Sequence, residues 1–175
     1  MKKIIPFFDY QSLYDKNKYE LTQIFQDVAS RGAFIMQDDL ANFEKKLVKY
    51  TGVKYVLGVA NATDAMQLLL KAGGIGDGDE VIFCSHTMIA TASAIEFTGA
   101  TPVPVEAGID HLMDPESIRG AITPRTKAII PTQLNGRVAD MDKILDIAKE
   151  YNLQVYEDSA QALGAKYKGE FAGTM

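Results

Sequence analysis

The sequence predicts an α/β fold, a mainly parallel sheet covered by helices on both faces. Short apolar runs recur at residues 55–60, 80–85, 127–133 and 153–157. Between them lie segments with helical periodicity, such as Ala62, Ala65, Met66, Leu69 and Ala72. Each is long enough for a right-handed crossover, the connection a parallel ladder requires. Ligands of such sheets bind beyond the carboxyl ends of the strands.

Taken in order, Leu40, Phe43, Leu47 and Tyr50 share one helical face, and Gly52 closes that helix. Residues 55–60 (YVLGVA) read as a buried strand, followed by a helix ending at Gly73 and Gly74. Residues 80–85 (EVIFCS) form the next strand and 88–97 the next helix. In 101–106 (TPVPVE) two prolines, which cannot donate to a ladder, indicate an edge or a strand end. Asp114 and Pro115 are an N-cap and a first helical residue, leading into Ile118, Ala121 and Ile122. Residues 127–133 (KAIIPTQ) are a strand, and Asp140 caps a helix carrying Met141, Ile144, Leu145, Ala148 and Tyr151. Residues 153–157 (LQVYE) close the strand series, and 167–171 suggest a small hairpin.

Composition narrows the function classes. Hydrophobic residues make up 47% and charged residues 23%, which excludes disorder and fibrous repeats. No apolar run approaches the roughly 20 residues that span a bilayer, and residues 1–6 (MKKIIP) lack a secretory core. The single cysteine, Cys84, forms no intrachain disulfide, which fits a cytoplasmic location. A formal charge of −5 without a basic cluster argues against nucleic acid. Two histidines and one cysteine offer little for a zinc site.

Several strand ends carry polar residues. In Asn61-Ala62-Thr63 the first-turn amides and the Thr63 hydroxyl can donate to a phosphate, although Asn61 or Thr63 as a plain helix cap is the commoner situation. The helix terminus alone contributes about 0.3–1 kcal/mol. Glu157 and Asp158 follow an apolar strand and point to opposite faces. A carboxylate there loses hydration at a cost of roughly several kcal/mol unless paired. A cationic heterocycle suits Asp158, and a cap or salt bridge is the alternative. His86 is a candidate base or donor to substrate, though a lone histidine is more often structural. Cys84 reads as a small buried hydrophobe, and Met88 packs either on a flat ligand or in the core. Gln133 and Arg137 lie near another strand end.

Together these segments resemble the DegT/DnrJ/EryC1/StrS family of pyridoxal-phosphate (PLP) sugar aminotransferases. The resemblance runs in order through residues 32–35 (GAFI), Phe43-Glu44, 58–65 (GVANATDA), 76–82 (GDGDEVI), 99–103 (GATPV), 122–131 (ITPRTKAIIP) and 157–162 (EDSAQA). It implies the fold type I large domain over 36–175, with 1–35 contributing to the small domain or to dimer contacts. It also implies PLP as cofactor. Ala62 and Thr63 would hold its phosphate, Asp158 would pair with its ring nitrogen, and Gln161 would lie on the ring-hydroxyl side. Met88 stands where the family carries an aromatic ring over the cofactor, and Gln133 lies near a position where the family often has a histidine; Gln133 and, from the residue reading above, His86 are the substrate-facing candidates. The implied Schiff-base lysine is expected beyond Met175, so the chain is expected to be a truncated piece, inactive alone. Lys166 and Lys168 read as solvent-facing.

The implied reaction moves an amine, glutamate being the suggested donor, onto a nucleotide-linked keto-deoxysugar. The setting would be lipopolysaccharide, other polysaccharide or glycoconjugate synthesis, and the assembly a homodimer. Two rivals remain: a PLP-dependent sugar dehydratase of the same family, and a silent unit that only folds or dimerises. A nicotinamide enzyme is disfavoured by the missing glycine fingerprint.

Overall fold

A computed structural model describes residues 5–175; the reading of residues 1–4 lies outside the described residues. The chain divides into two compact units, Met1–Tyr50 and Thr51–Met175.

In the first unit, α1 (Tyr10–Ser30) begins at Asp9, whose side chain accepts from the Ser12 N–H at 3.0 Å. Arg31 follows, donating to Asp27 Oδ2 at 2.8 Å and to Asp39 Oδ2 at 3.1 Å, and so ties α1 to the start of α2 (Asp38–Thr51). The apolar face predicted at Leu40, Phe43, Leu47 and Tyr50 is present on α2 but none of it is buried.

The second unit runs α3 (Ala62–Ala72), β1 (Glu80–Cys84), α4 (Ile89–Glu96), β2 (Thr101–Val105), α5 (Pro115–Arg119), β3 (Thr126–Ile130), α6 (Met141–Tyr151) and β4 (Gln154–Val155). The strands form one parallel sheet in the order β2-β1-β3-β4. The proline-bearing β2 lies at its edge, as a strand short of donors must. Alternation divides the central strands between two cores. Val81, Phe83, Ala128 and Ile130 pack with Met66 and Leu70 of α3 and Ile95 of α4. Ile82, Cys84 and Ile129 pack with Ile118 of α5 and Met141 and Ile144 of α6. Each fully buried aliphatic side chain stabilises the fold by about 1.5–3 kcal/mol. At the amino end of the sheet buried Glu80 ties β1 to the turn before β3, accepting from Thr123, from Thr126 and from Arg125 Nε at 3.0 Å.

Two expectations need correction. Residues 55–60 are not a strand: they join no ladder among the described residues, and Tyr55 and Leu57 are 77% and 80% exposed. An apolar run has strand composition, but a strand also needs a partner edge, which no local pattern encodes. The strand expected over 153–157 is shorter, β4 spanning two residues, although its pairing continues. Tyr156 N–H donates to Ile129 O at 3.0 Å, Asp158 N–H to Pro131 O at 3.0 Å, and Gln133 N–H to Asp158 O at 2.9 Å. Pro131 has no N–H to return, so the ladder is interrupted there and resumes as the Thr132–Asp158 bridge. That continuation delivers Asp158 to the carboxyl end of the sheet.

The hairpin is present as β5 (Lys166–Tyr167) and β6 (Glu170–Phe171). Its turn residues Lys168 and Gly169 have φ of 49° and 96°, the left-handed pair that fits two-residue hairpins. At Gly73, ending α3, a Cβ would meet the Tyr156 hydroxyl and Gln154 Oε1, so those side-chain ends would have to move.

Candidate functional site

A cleft of about 260 Å³ opens at the carboxyl end of the sheet, beside the start of α3. Ala62, Thr63, Met88, Asp158 and Gln161 all line it, brought together from three separate stretches of chain. A larger hollow of about 590 Å³, lined by Thr123, Lys127, Asn152 and Gln154, lies at the amino ends of β3 and β4. Parallel sheets bind ligands at the other end, where the smaller cleft lies.

Asn61 is the N-cap of α3: its Oδ1 accepts from the Asp64 N–H at 2.9 Å, and Ala65 N–H opens the helical ladder by donating to Asn61 O. The cap therefore uses the third amide of the helix and leaves those of Ala62 and Thr63 directed out of its first turn. Both residues line the cleft. This terminus with its dipole suits an anion.

Asp158 is 7% exposed and lines the same cleft. Its Oδ2 accepts from the Thr91 hydroxyl at 3.0 Å and its Oδ1 from the Ala160 N–H at 3.3 Å. Among the described residues no lysine, arginine or histidine forms an ion pair with it. Glu157 takes the opposite face, as strand alternation predicts, accepting from Gln133 Nε2 at 2.8 Å and from the Met175 N–H at 2.8 Å.

Gln161 Oε1 accepts from the Asn135 N–H at 3.1 Å, which fixes the carbonyl end of the amide. Met88 precedes α4 and is 66% exposed at the cleft, not part of either core. Two other sequence candidates are not brought to the cleft lining. Gln133 is fully buried, its Oε1 accepting from the Ala139 N–H and its Nε2 donating to Glu157. His86 is exposed and its Nδ1 lies 3.1 Å from His111 O. Cys84 is buried, and burial pushes its thiol up from the ordinary range, unlike a nucleophile's. Lys168 pairs with Asp142, and Lys166 lies over the Phe171 ring at 4.2 Å.

Sequence reasoning missed Thr87 and Thr132, which also line the cleft, and Thr91 behind Asp158. Thr87 precedes the cap of α4 and Thr91 lies inside that helix, so no helical spacing joins them; their contact depends on the turn between β1 and α4.

Among the described residues no cluster of three histidines, cysteines or acids could hold a metal, and no helix is long and apolar enough to cross a membrane. The profile of the DegT/DnrJ/EryC1/StrS aminotransferase family matches residues 15–175. The chain is 42% identical over 170 residues to dTDP-3-amino-3,4,6-trideoxy-alpha-D-glucose transaminase of Streptomyces venezuelae, covering 97% of this chain and 45% of that one. It is 44% identical over 173 residues to dTDP-3-amino-3,6-dideoxy-alpha-D-galactopyranose transaminase of Aneurinibacillus thermoaerophilus, covering 98% and 48%. Among solved structures, S. venezuelae DesV superimposes with a TM-score of 0.95 at 40% identity, over 99% of this chain and 47% of that one. Bacillus subtilis ntda with bound cofactor PMP gives 0.90 at 34% identity, over 98% and 40%. The chain spans about half the length of the curated relatives it matches.

Proposed function

The chain belongs to the DegT/DnrJ/EryC1/StrS aminotransferase family, and on that premise we propose that its cleft binds PLP within an enzyme that aminates a nucleotide-linked keto-deoxysugar. The observation that carries this reading is Asp158, a buried carboxylate on the cleft with no ion-pair partner among the described residues, beside the first amides of α3. A cationic ring bearing a phosphate complements both features at once. The names of the similar enzymes, dTDP-sugar transaminases, support the substrate class.

When bound, PLP supplies a protonated aromatic ring that delocalises the electron pair left at carbon after proton removal. The chain's own residues would hold it. Ala62 and Thr63 donate amides, and Thr63 its hydroxyl, to the phosphate. Asp158 accepts from the ring N–H with the lone pairs that Thr91 and Ala160 leave open. Gln161, its carbonyl fixed by Asn135, directs its NH₂ toward the ring hydroxyl. Met88 covers one ring face with a thioether, which has less geometric preference than an aromatic ring. His86 would serve as a base or a hydrogen-bond donor to a substrate group.

Neither Lys166 nor Lys168 lines the cleft, and we assign neither the covalent role. We place the enzyme in the cytoplasm as a homodimer, with residues 1–35 contributing to the small domain or to dimer contacts. It takes its amine from glutamate, for lipopolysaccharide or related glycan synthesis.

The test is an assay of the full-length enzyme with PLP, L-glutamate and a dTDP- or UDP-linked keto-deoxysugar, read by mass spectrometry. The reading predicts an amino sugar nucleotide formed together with 2-oxoglutarate. Dehydration of the sugar without nitrogen gain contradicts it.

A further inference from the structure

We propose that Thr91 is a positioning residue for the cofactor ring, aiming the Asp158 carboxylate through a one-way chain of threonine hydroxyls. The inference rests on the reading of Asp158 as the partner of the ring nitrogen.

Four oxygens form an unbroken line. Thr132 Oγ1 lies 3.0 Å from Thr87 Oγ1, which lies 2.9 Å from Thr91 Oγ1, which lies 3.0 Å from Asp158 Oδ2. The line joins the end of β3, the residue before the cap of α4, α4 itself and the continuation of β4. Its direction follows from counting hydrogens. A threonine hydroxyl has one hydrogen, and an ionised carboxylate only accepts. The Thr91 hydrogen is therefore committed to Asp158, so Thr87 donates to Thr91. The Thr87 hydrogen is then used, so Thr132 donates to Thr87. Hydroxyls aligned in this sense polarise one another and strengthen the last bond, the one to Asp158.

A helical threonine commonly returns its hydroxyl to the carbonyl four residues back. Thr91, with no exposed surface, sends it instead to a residue 67 positions away in sequence. The result fixes the carboxylate from behind. Oδ2 is held by Thr91 and Oδ1 by the Ala160 N–H, and the remaining lone pairs face the cleft that Asp158 lines. Without Thr91 the carboxylate keeps only the Ala160 N–H, its Oδ2 is no longer held, and the ring loses a partner already aimed at it.

Pyridoxamine 5′-phosphate labelled with ¹⁵N in the ring tests this on the full-length enzyme, because it binds without a covalent link. Two quantities are read: its dissociation constant, and the ¹⁵N shift, which reports hydrogen bonding and protonation at the ring nitrogen. Thr91→Val should weaken binding by about tenfold, equivalent to about 1.4 kcal/mol. It should also move the ¹⁵N signal toward that of Asp158→Asn, and Thr91→Ser should restore both. Loss of packing alone would not move the nitrogen signal. If Thr91→Val does not fold, Thr87→Val removes the donor to Thr91 and should give a smaller shift in the same direction. Wild-type values in the threonine variants, with Asp158→Asn displaced, overturn the role of Thr91 and leave Asp158 standing. Wild-type values in Asp158→Asn itself overturn the pairing beneath it.

Discussion

Gln133 donates from Nε2 to Glu157 Oε2 at 2.8 Å while its Oε1 accepts from the Ala139 N–H at 2.8 Å. One fully buried amide thus joins the end of β3 to the segment after β4 and to the approach of α6. The face it occupies is the one Asp158 turns away from. Neighbouring acids on one strand therefore divide their work, Glu157 within the protein and Asp158 on the cleft.

Gln133→Ala should accordingly act on stability. It leaves the Ala139 amide and the Glu157 carboxylate short of partners, and an unsatisfied buried group costs about 1–3 kcal/mol. Urea denaturation should show a loss of that size, with the dissociation constant of pyridoxamine phosphate within about twofold of wild type.

Asn61→Ala removes the cap of α3. The expected loss of stability is about 0.5–2 kcal/mol, measured by thermal or denaturant unfolding. Because Asn61 also sets where the Ala62 and Thr63 amides point, phosphate-bearing ligands should bind more weakly than stability alone explains. Asn61→Asp, which still caps, should keep most of the stability.

Ile144→Ala opens a cavity between α6 and the sheet, in a core where Ile144 has no exposed surface. The expected cost is about 2–5 kcal/mol by denaturant unfolding. Ile144→Val should lose less, about 0.5–1.5 kcal/mol.

Glu80 governs an acid-sensitive contribution. The Thr123 hydroxyl above all, opposed by burial and reinforced by the Arg125 guanidinium, holds its carboxyl below the ordinary range. A depressed folded-state value means that the stabilisation is present above the ordinary carboxylate range and is lost as pH falls through the lowered one. Glu80→Gln should flatten this acid limb in unfolding curves taken between neutrality and pH about 3. An unchanged limb would assign the acid sensitivity to other carboxylates.

The sequence disclosed what local chemistry encodes. Asp114 and Asp140 cap the helices predicted for them, the prolines of β2 lie at the sheet edge, and Glu157 and Asp158 diverge as strand alternation requires. Ala62, Thr63, Met88, Asp158 and Gln161 share a cleft because strand ends of a parallel sheet converge on one rim. What stayed hidden depends on distant partners. The apolar run at 55–60 announces a strand without naming an edge to pair with. Gln133 looks like a polar strand-end residue until Ala139 and Glu157 are placed around it. The link from Thr91 to Asp158 spans 67 positions, and only the packing of α4 against the sheet brings the two together.

The most direct test of the central claim is a crystal structure of the full-length enzyme with pyridoxamine phosphate. The account predicts the ring nitrogen within hydrogen-bond distance of an Asp158 oxygen and the phosphate on the amides of Ala62 and Thr63. A ring bound elsewhere, with Asp158 held only by Thr91 and Ala160, would contradict it.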